Sequence, residues 1–328
     1  MKKKTSITRI TRSAAALVLA LCVIAGLAAH TTREAVLPPS QYGWQGYVSG
    51  GAKTGSGKDA EAELARRGTV ETVVKAVAEL SQADPKAVDR TPYGTVDRSR
   101  AAQGYISFTA AGKARAFILD APDGTRAYFT VAKGETVKAA LAGGTGTYTY
   151  KIATRGSDGY DYVDRKKSFT VKAMDGVLAP YLVPTPYGDC ANAPEAAKQA
   201  KELWDASKTD LENISATARW VAGALDYDKS AKTGAVDEYV DPDAVLERGA
   251  GVCAEHSVLL VATLRSQGVP ACYAGSGDHA WVRAWAELSS WTNRGVTYSK
   301  GAWVTIEATS GSVLWPSQAE KYVAEYLN

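Results

Sequence analysis

The sequence predicts an α+β protein: a small β-sandwich-like domain, followed by a domain that packs a cysteine-bearing helix on an antiparallel sheet. Three observations predict this. Between about Gly104 and Lys172, apolar residues recur with period two in short runs separated by turn residues. From about Ala193 to Gln267 the period becomes helical. Two long alternating runs then open at His279 and Ala302.

The N-terminus reads as a targeting segment. Lys2, Lys3, Lys4, Arg9 and Arg12 precede an apolar run from Ala14 to Ala29, which is short for a membrane-spanning helix. Residues 1–30 are expected to be a signal peptide or signal anchor, which places the rest of the chain outside the cytoplasm, secreted or held at the cell surface. Leu21 before Cys22 argues against lipid attachment. Of 328 residues, 45% are hydrophobic and 22% charged, so a sizeable core is available. The net charge is only +3 and part of it lies in the leader, so no nucleic-acid partner is indicated.

Residues 31–60 are rich in Gly, Ser, Thr and Pro, the composition of a linker. Val70, Val73, Val74, Val77 and Leu80 predict a helix from Glu61 to about Leu80, ended by Asp84-Pro85. Residues 31–100 are therefore expected to be a linker with a short helix. Strands are expected at 105–109, 114–119, 127–131, 147–152 and 168–171, with turns at Pro92-Tyr93-Gly94, Asp123-Gly124 and Gly143–Gly146. They assign 101–185 to the β-sandwich-like domain, a spacer or binding module without a catalytic constellation. Pro184, Pro186 and Gly188 mark the boundary of a second domain, 186–328. In it, helices are expected over about 193–207, over 211–225 with Asp210 as cap, and from Asp243 to about Arg248.

The chemistry concentrates after Gly249-Ala250-Gly251-Val252-Cys253. Ala254 to Gln267 is apolar on every side, predicting a buried helix that Gly268 and Pro270 end. Cys253 then stands at a helix N-terminus, where unpaired N–H groups and the macrodipole favour an anion. Such settings lower a thiol pKa, and the thiolate is the nucleophile; the same donors can hold an oxyanion. The plain alternative is a small buried cysteine filling a gap. His279 at a strand start is the expected base; His256, three residues after Cys253, is a rival on the same helix. Glu307, near the end of the following strand, is the expected partner that orients the imidazole, with Glu287 and Asp278 as rivals.

These residues resemble the transglutaminase-like (papain-like thiol) superfamily. The resemblance rests on Gly251-Val252-Cys253, His279-Ala280-Trp281, and Trp303 followed by Glu307-Ala308-Thr309. Asp210 through Trp220 to Asp226-Tyr227-Asp228, Tyr239-Val240-Asp241-Pro242-Asp243 and Leu264 to Pro270 also fit it. The match covers about 190–315, and the segment ending at Ala179–Pro184 is similar to the lead-in domain of exported bacterial members. The sequence departs from the family in two places: Glu307 stands where Asp is usual, and Ala254-Glu255-His256 where an acidic-aromatic pair is common. The resemblance implies a thioester intermediate on Cys253, an amide or peptide carbonyl as substrate, no cofactor and no metal. It also implies Tyr239 as a side-chain oxyanion donor. Trp281 and Trp303 are candidates to line the acyl-donor cleft, although the crowd that they form with Trp285, Trp291 and Trp315 also suits sheet packing.

The competing expectations are an inactive relative that binds cell-wall or surface partners, and a zinc site of Cys253, His256, Cys272 and His279, whose spacing is not a usual zinc pattern. With Cys22 in the leader, an odd number of cysteines remains. Either Cys190, Cys253 and Cys272 are all thiols, or Cys190 and Cys272 pair.

Overall fold

A computed structural model describes residues 81–314 apart from 157–158, 177, 231–239, 277–278 and 294–295, together with short strands at 33–35, 72–76 and 326–327. The expected targeting segment lies outside the described residues. Among them, no helix is long and apolar enough to cross a membrane.

Strands β1 (Arg33–Ala35) and β2 (Thr72–Ala76) come first in the chain. Eight strands then form two antiparallel sheets. One orders β3 (Val88–Thr91), β4 (Gly94–Asp97), β5 (Tyr105–Ala110) and β8 (Thr136–Ala140) side by side. The other has the order β10 (Gly159–Val171), β9 (Gly146–Gly156), β6 (Arg115–Asp120) and β7 (Arg126–Val131). Alternate residues of β5 and β7 are buried, so each sheet turns one face inward. Phe108 of one sheet stacks on Phe117 of the other at 4.8 Å, and Phe117 also meets Phe129 and Tyr150. Burying each of these rings contributes about 1.5–3 kcal/mol. The two sheets are thus a sandwich, and it begins at Val88, not at 101.

The expected helix at 61–80 is corrected where it can be seen: 72–76 is a strand, antiparallel to β15 (Val296–Glu307). Thr72, Val73 and Val74 are β-branched, which suits an extended chain better than a helix. A partner far along the chain decides the matter, and local periodicity does not see it. β3, β4 and β8 were also absent from the expectation: β3 and β4 carry one large apolar side chain each, Val88 and Val96, and β8 carries only Val137 beside two small alanines.

In the C-terminal part, α1 (Pro194–Leu203), α2 (Asp210–Ala224) and α3 (Pro242–Arg248) surround α4 (Cys253–Ser266). Thr209, not Asp210, caps α2: its hydroxyl accepts from Glu212 N–H at 3.2 Å while Glu212 Oε2 accepts from Thr209 N–H at 3.0 Å. That reciprocal pair satisfies two N-terminal donors, whereas Asp210 sits one residue inside. Asp210 instead accepts from Glu287 N–H at 3.1 Å.

α4 is buried on all sides, against helices on one side and the large sheet on the other. That sheet orders β1, β2, β15, β14 (His279–Asn293), β13 (Ala271–Ser276) and β17 (Tyr326–Leu327), with β16 (Ser312–Leu314) also on β15. Gly268 takes the left-handed conformation that stops α4, and Val269 N–H returns to Leu264 O. One buried cation ties this helix to the segment leading out of the sandwich. Arg265 donates to the carbonyls of Tyr181, Val183, Gly188 and Ala271 and to Thr185 Oγ1, at 2.6–3.1 Å.

Candidate active site

Cys253 is the first residue of α4 and is 4% exposed. The turn before it is pinned from two directions. On one side, β11 (Asp226–Tyr227) runs parallel to β12 (Ala250–Gly251), and Asp226 and Asp228 donate N–H to Gly249 O and Gly251 O at 2.9 and 3.0 Å. On the other, Glu255 Oε2 accepts from Val252 N–H at 3.0 Å. Its second oxygen takes Arg248 Nη2 at 2.5 Å, and Arg248 Nε–H reaches Ala250 O at 3.0 Å. A Cβ on residue 251 would lie 2.9 Å from Glu255 Cβ, so glycine is what lets this clamp close. The first intrahelical bond is His256 N–H to Val252 O at 3.0 Å, which leaves first-turn N–H groups directed past Cys253.

His279 opens β14 and hydrogen-bonds to Cys253. Its Nε2 lies 2.7 Å from Glu307 Oε2, so Nδ1 is the ring nitrogen left for the thiol. Extending the β14–β15 register, in which Val282 faces Ile306, sets Glu307 across from Trp281 and diagonal to His279. A diagonal pair is within reach of a long side chain, which is how a glutamate serves here. Thr309 Oγ1 donates to Glu307 Oε1 at 2.9 Å and holds its second oxygen. The hydrogen bonds to Cys253 and then Glu307 push the His279 pKa up to about 10, against the opposing effect of burial. Its side chain is 39% exposed while that of Glu307 is 16% exposed, so the imidazole is open to solvent while the thiol is recessed.

His256, the rival base, is buried, and its Nδ1 donates to Val252 O at 3.0 Å. A carbonyl only accepts, so this nitrogen carries the proton and serves the backbone. Glu287 lies eight positions along β14 from His279, about 26 Å away at the rise of a strand. Asp278 and Tyr239 fall outside the described residues. Trp281 stacks beside His279 at 5.9 Å. Trp303 lies against Tyr181 at 4.5 Å and Trp285 at 5.8 Å, with Arg283 over its ring, a set of contacts that packs the sheet against the lead-in segment. Sequence reasoning gave no role of its own to Tyr227, which is 44% exposed with its ring 6.2 Å from that of His256. It also passed over the Arg248–Glu255 clamp, for which the acidic residue two positions after the cysteine was the available signal.

Cys190, Cys253 and Cys272 form no disulfide. Burial pushes the Cys272 pKa up to about 11 and raises that of Cys190, so both are poor nucleophiles. Among the described residues, no three His, Cys, Asp or Glu side chains gather as a metal site.

Residues 197–308 match the model of the transglutaminase-like superfamily, and this part of the chain is a transglutaminase-like domain that follows a β-rich region. No curated protein sequence matches the chain. Among solved structures it is similar to a candidate cysteine protease from Cytophaga hutchinsonii, at 13% identity and TM-score 0.34, over 67% of this chain and 82% of that one. It is also similar to the periplasmic domain of TgpA from Pseudomonas aeruginosa bound to ethylmercury, at 16% identity and TM-score 0.30, over 80% of this chain and 98% of that one.

Proposed function

We infer that this chain is an exported thiol enzyme that acts on amide or peptide carbonyls through a thioester on Cys253. The observation that carries this reading is the placement of His279, hydrogen-bonded to Cys253 at the start of a buried helix and to Glu307 at 2.7 Å. Superfamily membership of the segment 197–308 supports a cysteine-dependent reaction. The apolar run after a basic N-terminus supports export.

In this mechanism Cys253 Sγ, as thiolate beside the His279 imidazolium, attacks the carbonyl carbon. The N–H groups at the start of α4 receive the charge that develops on oxygen. As the tetrahedral intermediate collapses, the carbon–nitrogen bond breaks, the imidazolium gives its proton to the leaving amine and the thioester remains. Water or a second amine then attacks the thioester and yields its proton to His279. The carbon–sulfur bond breaks and the thiolate returns. Water gives a carboxylic acid, and an amine gives a new amide. Glu307 holds the ring and stabilises its charged form, as the third member of such a triad does. The substrates are protein or peptide chains, cell-wall or surface components are further partners, and the mechanism calls for neither metal nor cofactor.

The test titrates iodoacetamide reactivity against pH for the wild-type chain, Cys253→Ala and His279→Ala, with mass spectrometry to locate the adduct. Fast alkylation confined to Cys253 below pH 7, lost in His279→Ala, supports the reading. An ordinary alkaline profile for Cys253 overturns it and leaves a binding protein built on an enzyme's fold.

A further inference from the structure

The sheet β10–β9–β6–β7 has an outer face that the proposed chemistry does not use. Its register places Tyr162 beside Ala153, Ala153 beside Ala116, and Lys151, Ile118 and Tyr128 in one row. Asp120 is paired with Arg126 across β6 and β7. All these side chains point away from the sandwich core, because Phe117, Leu119 and Phe129 occupy the alternate positions that point inward.

The polar and aromatic groups form one chain of contacts. Tyr128 and Tyr160 stack at 6.0 Å, although two strands lie between them. Spanning that gap of about 14 Å requires both rings to lean inward, which accounts for the burial of Ala116, Ile118 and Ala153 on an outward face. Arg126 lies over Tyr128 and donates to its hydroxyl at 3.3 Å. Arg126 and Lys151 both bind Asp120. Lys151 in turn sits 5.9 Å over Tyr162, which is 55% exposed. Tyr162 is thus an aromatic plate open to solvent on the same face as a carboxylate and two cationic donors.

We propose that this outer face of the sandwich is a saccharide-binding surface, with Tyr162 as its stacking platform and Lys151, Asp120 and Arg126 as its hydrogen-bonding groups. A sugar ring has apolar C–H faces and a rim of hydroxyls. An exposed aromatic plate flanked by donors and an acceptor matches both, and the plate loses little conformational freedom on binding. A polyanion is a poorer fit, since Asp120 already offsets one of the two cations. A peptide strand added at the β7 edge is poorer too, since the Tyr128 carbonyl there is taken by the Tyr187 hydroxyl. The inference does not depend on catalysis at Cys253.

The experiment is isothermal titration of the full-length chain with cellohexaose and with chitohexaose, alongside Tyr162→Ala, Tyr162→Phe and Cys253→Ala. Binding of at least one hexamer is expected, weakened about tenfold in Tyr162→Ala and kept within about threefold in Tyr162→Phe and Cys253→Ala. Tyr162 is a surface residue, so alkylation of Cys253 serves as a control for folding. Binding of neither hexamer, binding unchanged in Tyr162→Ala, or binding lost in Cys253→Ala overturns the proposal. Salt-sensitive binding of heparin alone overturns it in favour of an anion site.

Discussion

His279 holds two hydrogen bonds with opposite purposes. The one to Cys253 joins it to the candidate nucleophile, and the one to Glu307 fixes which ring nitrogen faces that thiol. Because its folded pKa is raised to about 10 from the ordinary 6.5, its contribution to stability is complete below about pH 6.5 and fades as pH rises through about 10. On the proposed reading, the same shift would set the alkaline limb of activity, since the imidazolium protonates the leaving amine. Glu307→Gln removes the negative charge and should move that limb of kcat/KM to lower pH, while Glu307→Asp is one methylene short of the ring and should lower kcat about 10- to 100-fold. A pH–rate profile checks both; an unmoved limb in Glu307→Gln would detach Glu307 from the reaction. For the thiols, iodoacetamide below pH 8 should label Cys253 and leave Cys190 and Cys272 unlabelled, because burial keeps those two protonated. Peptide mapping reads the outcome directly.

At the scale of the element, α4 carries the site at one end and its anchor at the other. Arg265, the last residue but one of the helix, donates to four carbonyls and a hydroxyl. Replacing it with methionine leaves buried acceptors unmatched, at a cost of about 1–3 kcal/mol for each that water fails to reach. Arg265→Met should therefore lower the Tm by several degrees, and Arg265→Lys should recover only part of it, since an ammonium has three donors and no fork. Thermal unfolding followed by circular dichroism distinguishes the two. At the other end, Gly251→Ala pushes a methyl group into Glu255. Slower alkylation of Cys253 with little change in Tm is the expected result, and unchanged alkylation would remove the clamp from any part in placing the thiol.

At the scale of the whole molecule, a single apolar cluster runs from the sandwich through the helices to the large sheet. The segment bound by Arg265 crosses between them. Unfolding should accordingly be one transition. The tryptophans offer a clean check, because none lies between residues 88 and 171. Phe117→Ala opens a cavity deep in the sandwich and should destabilise it by about 3–5 kcal/mol. If the molecule unfolds as one, tryptophan fluorescence, which comes from Trp44 and seven tryptophans between Trp204 and Trp315 and from none in the sandwich, should shift with far-UV circular dichroism. Separate midpoints would show two independent units.

The sequence by itself determined the features that depend on local pattern and on residue type. Period-two runs placed five strands of the sandwich. The all-round apolar stretch after Cys253 fixed a buried helix with its cysteine at the start, and Gly268 fixed its end. His279-Ala280-Trp281 and Glu307 stood out because only a few side chains can carry the chemistry. Tertiary structure decided what depends on partners far along the chain. Residues 72–76 satisfy a helical period, yet they are extended because the edge of β15 offers backbone hydrogen bonds that a local pattern cannot register. The choice of Glu307 over Glu287 depends on strand register, which brings one within reach of His279 and leaves the other far down the same strand as that histidine. Tyr227 comes beside His256 through a two-residue parallel pairing, and the chain of contacts through Asp120 exists only because four strands lie in one order. A side chain's chemistry is written in its type, but its neighbours are set by loop closures and registers that the chain reaches only when folded.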